Sequence, residues 1–410
     1  MNKKTTIVHI NTFPYKAPGT IMLSIHQRLK DDGVNSFVVW GRGRSAENPS
    51  EFDINDSLGV KFHGVYTRLT DRTGFASKRA TRKLVEFLEE KKPDIVHIHN
   101  IHGYYVNIEM LFSYLREKGI KIVWTLHDCW SFTGHCAYFD MIDCSKWKTG
   151  CFLCPQKNTY PASVFLDASD WNWKHKRELF LNQDITIVVP CEWLKNVVQQ
   201  SFLKDYNIKV IYNGIDTSIF HPVRTNRVNR IVRSLPQKTV VLGVASEWTE
   251  RKGLKDFVKL RMLLPEEQFV IIVVGLDAHQ IKEMPDGIVA LARTGNIDEL
   301  VALYSRADFF FNPTYEDNFP TTNLEALACG TQIITYDTGG SAECLNSCRE
   351  NGWVLPKGAV DKASVIIRET KVSSTKQCRL DQMFSKNKML DGYIELYDAL
   401  LACQMKQEGM

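Results

Sequence analysis

The segment from Asn312 to Thr331 reads Asn-Pro-Thr-Tyr-Glu-Asp-Asn-Phe-Pro-Thr-Thr-Asn-Leu-Glu-Ala-Leu-Ala-Cys-Gly-Thr, a turn that ends an apolar strand and opens a helix. Thr321 or Thr322 is expected to cap that helix, with Glu325 one turn in. Backbone N–H groups at a helix start carry partial positive charge, so a diphosphate fits against Asn318, Phe319, Pro320, Thr321 and Thr322. A carboxylate such as Glu325 can accept hydrogen bonds from ribose hydroxyls. Asp317 stands eight positions before Glu325, with Glu316 a spare carboxylate beside it, so one loop could hold phosphates, ribose and sugar. An ordinary capped helix is the bland alternative. Against it stands the loop's place beyond the carboxyl end of a strand, where open α/β sheets bind ligands.

Other residues share that kind of position. Arg251-Lys252-Gly253 follows a strand and starts a helix, so two cations stand where a diphosphate could lie; the alternative is a solvated basic helix start. Gly19 follows the first strand, and a glycine there lets backbone approach a phosphate or a sugar. His127 closes the strand run Ile122–Leu126, which sets a sugar contact against a purely structural hydrogen bond. Asn100 and His102 lie at the end of the preceding strand and are candidates to line a ligand site, whereas His97 and His99 on that strand read as buried. Cys136, Cys144, Cys151 and Cys154 crowd into one loop and end in a C-x-x-C, a set that could hold a structural zinc, remain free or oxidise.

These residues need elements to position them. Apolar, β-branched runs at Thr6–Ile10, Phe37–Trp40, Ile95–Ile98, Ile122–Leu126, Thr186–Val189 and Lys209–Tyr212 alternate with helical patterns in the first half. The second half repeats the scheme at Val240–Val244, Phe269–Val274, Ile288–Leu291, Phe309–Phe311, Gln332–Thr335 and Trp353–Leu355. Strands without polar alternation are covered on both faces, so the expectation is two doubly wound α/β domains. Their boundary is expected in the polar stretch 222–237. Residues 129–169 break the alternation as a Cys- and aromatic-rich insert, and long irregular loops are usually functional or held by something. A last helix is expected over Lys388–Cys403, where Leu390, Ile394, Tyr397 and Leu401 share a face.

Taken in order, these segments resemble the retaining family 4 glycosyltransferases of the GT-B fold. The acid pair followed by Ala-x-Ala-x-Gly-Thr carries the resemblance, together with Tyr212-Asn213-Gly214-Ile215-Asp216, the Lys252-Gly253 helix start, and Thr294-Gly295 ahead of Glu299–Asp308. Two positions depart from the family pattern: its first acid is Glu where this chain has Asp317, and its usual Arg falls on Ser246. The resemblance implies two Rossmann-like domains facing a cleft. It places an acceptor domain over 1–205, a nucleotide-sugar donor domain over 206–384, and a helix over 385–410 that crosses back to the first domain. It makes Gly19, Arg251, Lys252, Thr294, Asn318, Phe319, Pro320, Thr321, Thr322 and Glu325 donor-binding residues, and His127 and Asp317 catalytic ones. It implies a nucleotide diphosphate sugar donor, a glycan or lipid-linked acceptor, surface-polysaccharide synthesis, and no cofactor in the reaction. Competing readings are a nucleotide-sugar epimerase and an inactive nucleotide-binding scaffold.

Composition narrows the classes further. The chain has 410 residues and a formal net charge of +4, a mild excess that does not argue for nucleic acid. No apolar run is long enough to span a bilayer and no signal-peptide core precedes the first strand, so a cytoplasmic protein with reduced thiols is expected. The basic stretch Arg68–Lys83 is a candidate for peripheral contact with anionic lipid, weighed against a solvated face. The first strand is followed by Asn11-Thr12-Phe13-Pro14-Tyr15-Lys16-Ala17-Pro18-Gly19 rather than G-x-G-x-x-G, which argues against NAD-dependent oxidoreduction.

Overall fold

The computed structural model describes residues 5–223, 238–347, 349–371 and 377–408. The expected boundary stretch 222–237 lies almost wholly outside them. The chain divides into two units, Met1–Ile211 with Leu390–Met410, and Tyr212–Met389.

Unit 1 is a parallel sheet of β1 (Thr6–Asn11), β2 (Asn35–Trp40), β3 (Glu51–Asp53), β4 (Ile95–Ile98), β5 (Lys121–Thr125), β6 (Ile185–Val189) and β7 (Asn207–Val210). They lie in the order β3-β2-β1-β4-β5-β6-β7. The helices are α1 (Lys16–Asp31), α2 (Ser57–Thr70), α3 (Lys78–Lys91), α4 (Ile108–Glu117), α5 (Ser169–Phe180) and α6 (Glu192–Val198). All six residues of β1 are buried, as unbroken apolar runs covered on both faces require. Register pairs His9 with His97 and Ile10 with Ile98 across β1 and β4. Trp124, Phe112 and Phe180 pack in tilted and edge-on contacts with ring centroids 4.7–5.4 Å apart and fix α4 and α5 against β5.

Unit 2 repeats the plan with β8 (Thr239–Val244), β9 (Phe269–Val274), β10 (Ile288–Leu291), β11 (Phe309–Asn312), β12 (Gln332–Tyr336) and β13 (Gly352–Leu355). Their order is β10-β9-β8-β11-β12-β13, again all parallel. Its helices are α7 (Leu254–Leu263), α8 (Ala278–Glu283), α9 (Ile297–Arg306), α10 (Thr321–Ala328) and α11 (Val360–Glu369). Phe257, Phe311, Tyr336 and Trp248 form the centre of its core. The last helix, α12 (Lys386–Glu408), contributes its residues from Leu390 onward to unit 1. There Tyr397 and Tyr393 lie over the sheet, within hydrogen-bond distance of His97 and Thr125 at 2.7 and 3.1 Å.

Both sheets reverse their winding at one point, between β1 and β4 in unit 1 and between β8 and β11 in unit 2. Loops leaving such neighbours diverge and open a crevice at the carboxyl ends, the place where doubly wound sheets take ligands. Sequence periodicity did not disclose α2, α5, α8 or α11. In α2 the buried side is His63, Gly64 and Thr67, so its apolar pattern points the wrong way for a core helix. The insert runs to Ala168, and Ser169, its expected last residue, opens α5.

Candidate active site

In unit 2 the two loops at the switch point lock together. Tyr315 N donates to Arg251 O at 2.7 Å, and Arg251 Nη1 donates to Glu316 O at 2.9 Å. Gly253 has φ +75°, and a Cβ there would stand 2.1 Å from Pro313 O, so only glycine lets these backbones meet. From the far side, Gly340 N donates to Asn318 O at 2.6 Å, and a Cβ on Gly339 would stand 1.7 Å from Asp317 O. This clamp sets Lys252 Nζ against the Asp317 carboxylate in an ion pair. Asn318 N donates to the other Asp317 oxygen at 3.0 Å. Glu316, its neighbour, is buried. The alternation of the loop therefore turns Asp317, and not Glu316, toward the lysine.

The expected threonine cap is corrected by the structure. The N-cap of α10 is Pro320, with no side-chain cap, and Thr321 is the first helical residue. A proline preceding the helix fixes the approach of the chain but supplies no acceptor, so the first-turn N–H groups face outward without a side-chain oxygen. Thr321 instead hydrogen-bonds Glu325. Tyr304 O–H also donates to Glu325, at 2.8 Å. Burial raises the Glu325 carboxyl, and the bonds from Tyr304 and Thr321 oppose that rise. Phe319 is buried between Tyr212 and Phe384, with centroids 5.3 and 5.7 Å away, so its side chain packs and only its backbone is open to a ligand. Thr294 follows the edge strand β10, two strands from β8, ahead of Asn296, whose side chain caps α9 by accepting from Glu299 N at 2.9 Å.

In unit 1 the corresponding rim carries histidines. His127 Nε2 lies 3.0 Å from His99 Nδ1, and their rings stack. Burial lowers His127 to about 4, so it is a neutral imidazole at physiological pH. Asp128 lies 2.8 Å from His102 Nε2 and accepts from Trp130 N at 2.9 Å. Burial pushes Asp128 up, but the charge and hydrogen bond of His102 outweigh it and hold the carboxyl below its ordinary value. His102 Nδ1 also meets Tyr160 O–H at 3.1 Å. This His102–Asp128–Tyr160 set escaped sequence reasoning because Tyr160 sits in the insert, 58 positions away. Gly19 is also placed differently from the expectation. It lies inside the first turn of α1, where a Cβ would stand 2.4 Å from Phe13 O, so the glycine serves backbone packing between loop and helix.

A buried histidine stripe leads inward from His127. His9, His97 and His99 have ligand atoms all within 4.8 Å of one another. Both ring nitrogens of His9 and Nε2 of His99 lack a partner. In the insert, Cys136 and Cys154 hydrogen-bond each other, and Gly134 N donates to Cys151 Sγ at 3.1 Å. The bond from Cys136 brings the Cys154 thiol down to about 7, while burial pushes Cys151 up to about 12. Among the described residues, the group of three or more side chains placed to hold a metal is His9, His97 and His99, and the thiols do not form one.

Two parallel sheets of the same winding, each with polar groups at its carboxyl-end rim, are the GT-B fold. The chain belongs to Glycosyltransferase Family 4: it matches that family over residues 19–219 and glycosyl transferases group 1 over residues 238–369. The putative colanic acid biosynthesis glycosyl transferase WcaC of Escherichia coli is 23% identical, over 93% of this chain and 96% of that one. The N,N'-diacetylbacillosaminyl-diphospho-undecaprenol alpha-1,3-N-acetylgalactosaminyltransferase of Campylobacter jejuni is 26% identical, over 48% of this chain and 56% of that one. Among solved structures, sucrose-phosphate synthase from Thermosynechococcus elongatus superposes with a TM-score of 0.72 at 15% identity, covering 98% of this chain and 100% of that one. Anabaena HepE in complex with UDP gives 0.63 at 15% identity, covering 97% of this chain and 100% of that one. Among the described residues no helix is long and apolar enough to cross a membrane.

Proposed function

We propose that this glycosyltransferase moves a sugar, with retention of anomeric configuration, from a nucleoside diphosphate sugar to a glycan or lipid-linked saccharide in the assembly of a surface polysaccharide. The observation that carries the reading is the Lys252–Asp317 pair at the switch point of unit 2, beside a helix start with no side-chain cap. A diphosphate there would meet Lys252, Arg251 and the backbone N–H groups of Phe319, Thr321 and Thr322, Pro320 having none and that of Asn318 being held by Asp317. Those donors stabilise the charge that grows on the leaving group, usually the largest catalytic contribution. Glu325, oriented by Tyr304 and Thr321, takes the ribose hydroxyls, with Thr294 on the nucleobase side. Asp317 and the neutral His127 orient the donor sugar. No side chain serves as nucleophile; the acceptor hydroxyl attacks on the face the diphosphate leaves and gives its proton to the departing oxygen.

The relatives' names support the substrate classes. The Campylobacter enzyme is named for a diphospho-undecaprenol acceptor, the Anabaena structure holds UDP, and the Escherichia coli relative is named for colanic acid biosynthesis. A lipid-linked acceptor brings the reaction to the cytoplasmic face of a membrane. The test is incubation with UDP- and GDP-sugars, with and without lipid-linked saccharides extracted from membranes. Acceptor-dependent release of nucleoside diphosphate is expected, with an α-linked product by NMR from an α-linked donor. Donor conversion without acceptor would point to an epimerase instead, and binding without turnover to an inactive scaffold.

We further propose that Cys136, Cys144, Cys151 and Cys154 take up a structural zinc, which would draw two thiols toward the Cys136–Cys154 pair. The N–H donor already aimed at Cys151 supports this, since such bonds stabilise a bound thiolate. Mass spectrometry of protein purified without chelators should find about one zinc per chain. Less than about a tenth of an equivalent would rule the site out.

A further inference from the structure

Helix α2 is folded inside out. It buries His63, Gly64 and Thr67, and turns Leu58, Phe62, Val65 and Leu69 to the outside at 47% to 76% exposure. Their spacing of four, three and four residues puts them on one stripe. Isolated exposed apolar residues are ordinary, but a stripe that replaces the polar face of a helix is not. A second segment extends it. Val164, Phe165 and Leu166 of the insert are 57% to 69% exposed, and Val164 N donates to Arg68 O, in the last turn of α2, at 2.8 Å.

The charge around this surface is of one sign. Residues 57–83 contain seven Lys and Arg and a single acid, Asp71, which is buried against His135. Lys61 and Arg68 are exposed along the stripe itself. Lys78, Arg79, Arg82 and Lys83 are exposed at the start of α3, which is tied to α2 through His63 Nδ1 and Ser77 Oγ, 2.8 Å apart. Lys157 donates to Phe165 O at 3.3 Å, beside the insert's apolar residues. A two-fold self-contact through this face would set these cations against their own copies. An interface that is apolar along its centre and cationic around it matches the boundary between acyl chains and anionic headgroups.

We propose that unit 1 docks on an anionic lipid bilayer through the outward stripe of α2 and residues 164–166, with the basic start of α3 on the headgroups. The inference rests on the lipid-linked acceptor reading for its purpose, but the surface that carries it is separate from the donor site.

The full chain is sedimented with vesicles of phosphatidylcholine alone and of phosphatidylcholine mixed with phosphatidylglycerol, at low and high salt. Binding is expected to the anionic vesicles and to weaken with salt. The double substitution Phe62→Glu and Phe165→Glu should lower the bound fraction about tenfold or more, at an unchanged unfolding midpoint and unchanged transfer to a detergent-dispersed acceptor. Failure of the wild-type chain to sediment, equal sedimentation of the double variant, or sedimentation indifferent to lipid charge would each overturn the proposal. So would a soluble dimer, seen by analytical ultracentrifugation and lost in the variant, since the face would then belong to a second copy. A wild-type chain that transfers sugar but does not sediment with anionic vesicles rejects this surface alone; a wild-type chain that sediments with them but transfers no sugar rejects the proposed reaction alone.

Discussion

Lys252 and Asp317 show how little sequence distance matters once two strands meet. Sixty-five positions separate them, yet they leave adjacent strands on the two sides of a switch point and form an ion pair. A phosphate arriving at Lys252 would find an amine already held in place, which lowers the ordering entropy of binding. The histidines of unit 1 carry a different consequence. Burial lowers His9 to about 3 and His63 and His127 to about 4, and takes His97 and His99 well below the ordinary value. Their folded-state values lie below the unfolded value near 6.5, so the unfolded chain binds more protons as pH falls. The stability they contribute is complete above about pH 6.5 and is lost from there down toward about pH 4, at about 1.4 kcal/mol per histidine per pH unit. His135, raised by its partner Asp71 against the pull of burial, opposes this as a single group. The urea midpoint for unit 1 should therefore drop sharply between pH 7.5 and 5.5. A midpoint that holds steady across that interval would contradict neutral burial of the stripe.

At the scale of elements, the strands were legible because a parallel sheet buried on both faces writes continuous apolar runs. Ile95–Ile98, Phe269–Val274 and Ile288–Leu291 were read with the bounds they have. Helix α2 was not legible, because its large apolar residues face out and its buried side is His63, Gly64 and Thr67. Helix α5 was hidden by Trp171, Trp173 and the neighbouring lysines, a pattern with a weak apolar stripe that merges with the insert. The donor loop was legible as a strand–turn–helix with acids at a fixed spacing. Its capping was misread because proline at the N-cap leaves the threonines one position inside the helix. Gly339 gave no local signal of its importance, and Gly253 gave only its place in the Lys252-Gly253 helix start. Only the fold shows that each faces the backbone of a loop some 20 to 60 positions away.

For the whole molecule, two sheets of the same winding each present polar groups at a carboxyl-end rim. Neutral histidines and an Asp–His pair in unit 1 suit hydroxyl-bearing substrates. Cations and an uncapped helix start in unit 2 suit a diphosphate. The central claim is the second of these. The most direct measurement is isothermal titration of the full chain with UDP and GDP, repeated on Lys252→Ala and Glu325→Ala. One of the two nucleotides should bind, and each substitution should weaken it by about 1.5–3 kcal/mol, roughly ten- to a hundredfold, the range for losing a charged hydrogen-bond partner. Binding that is unchanged in both variants, or no binding of either nucleotide to the wild-type chain at millimolar concentration, would contradict the assignment of the switch point of unit 2 as the donor site.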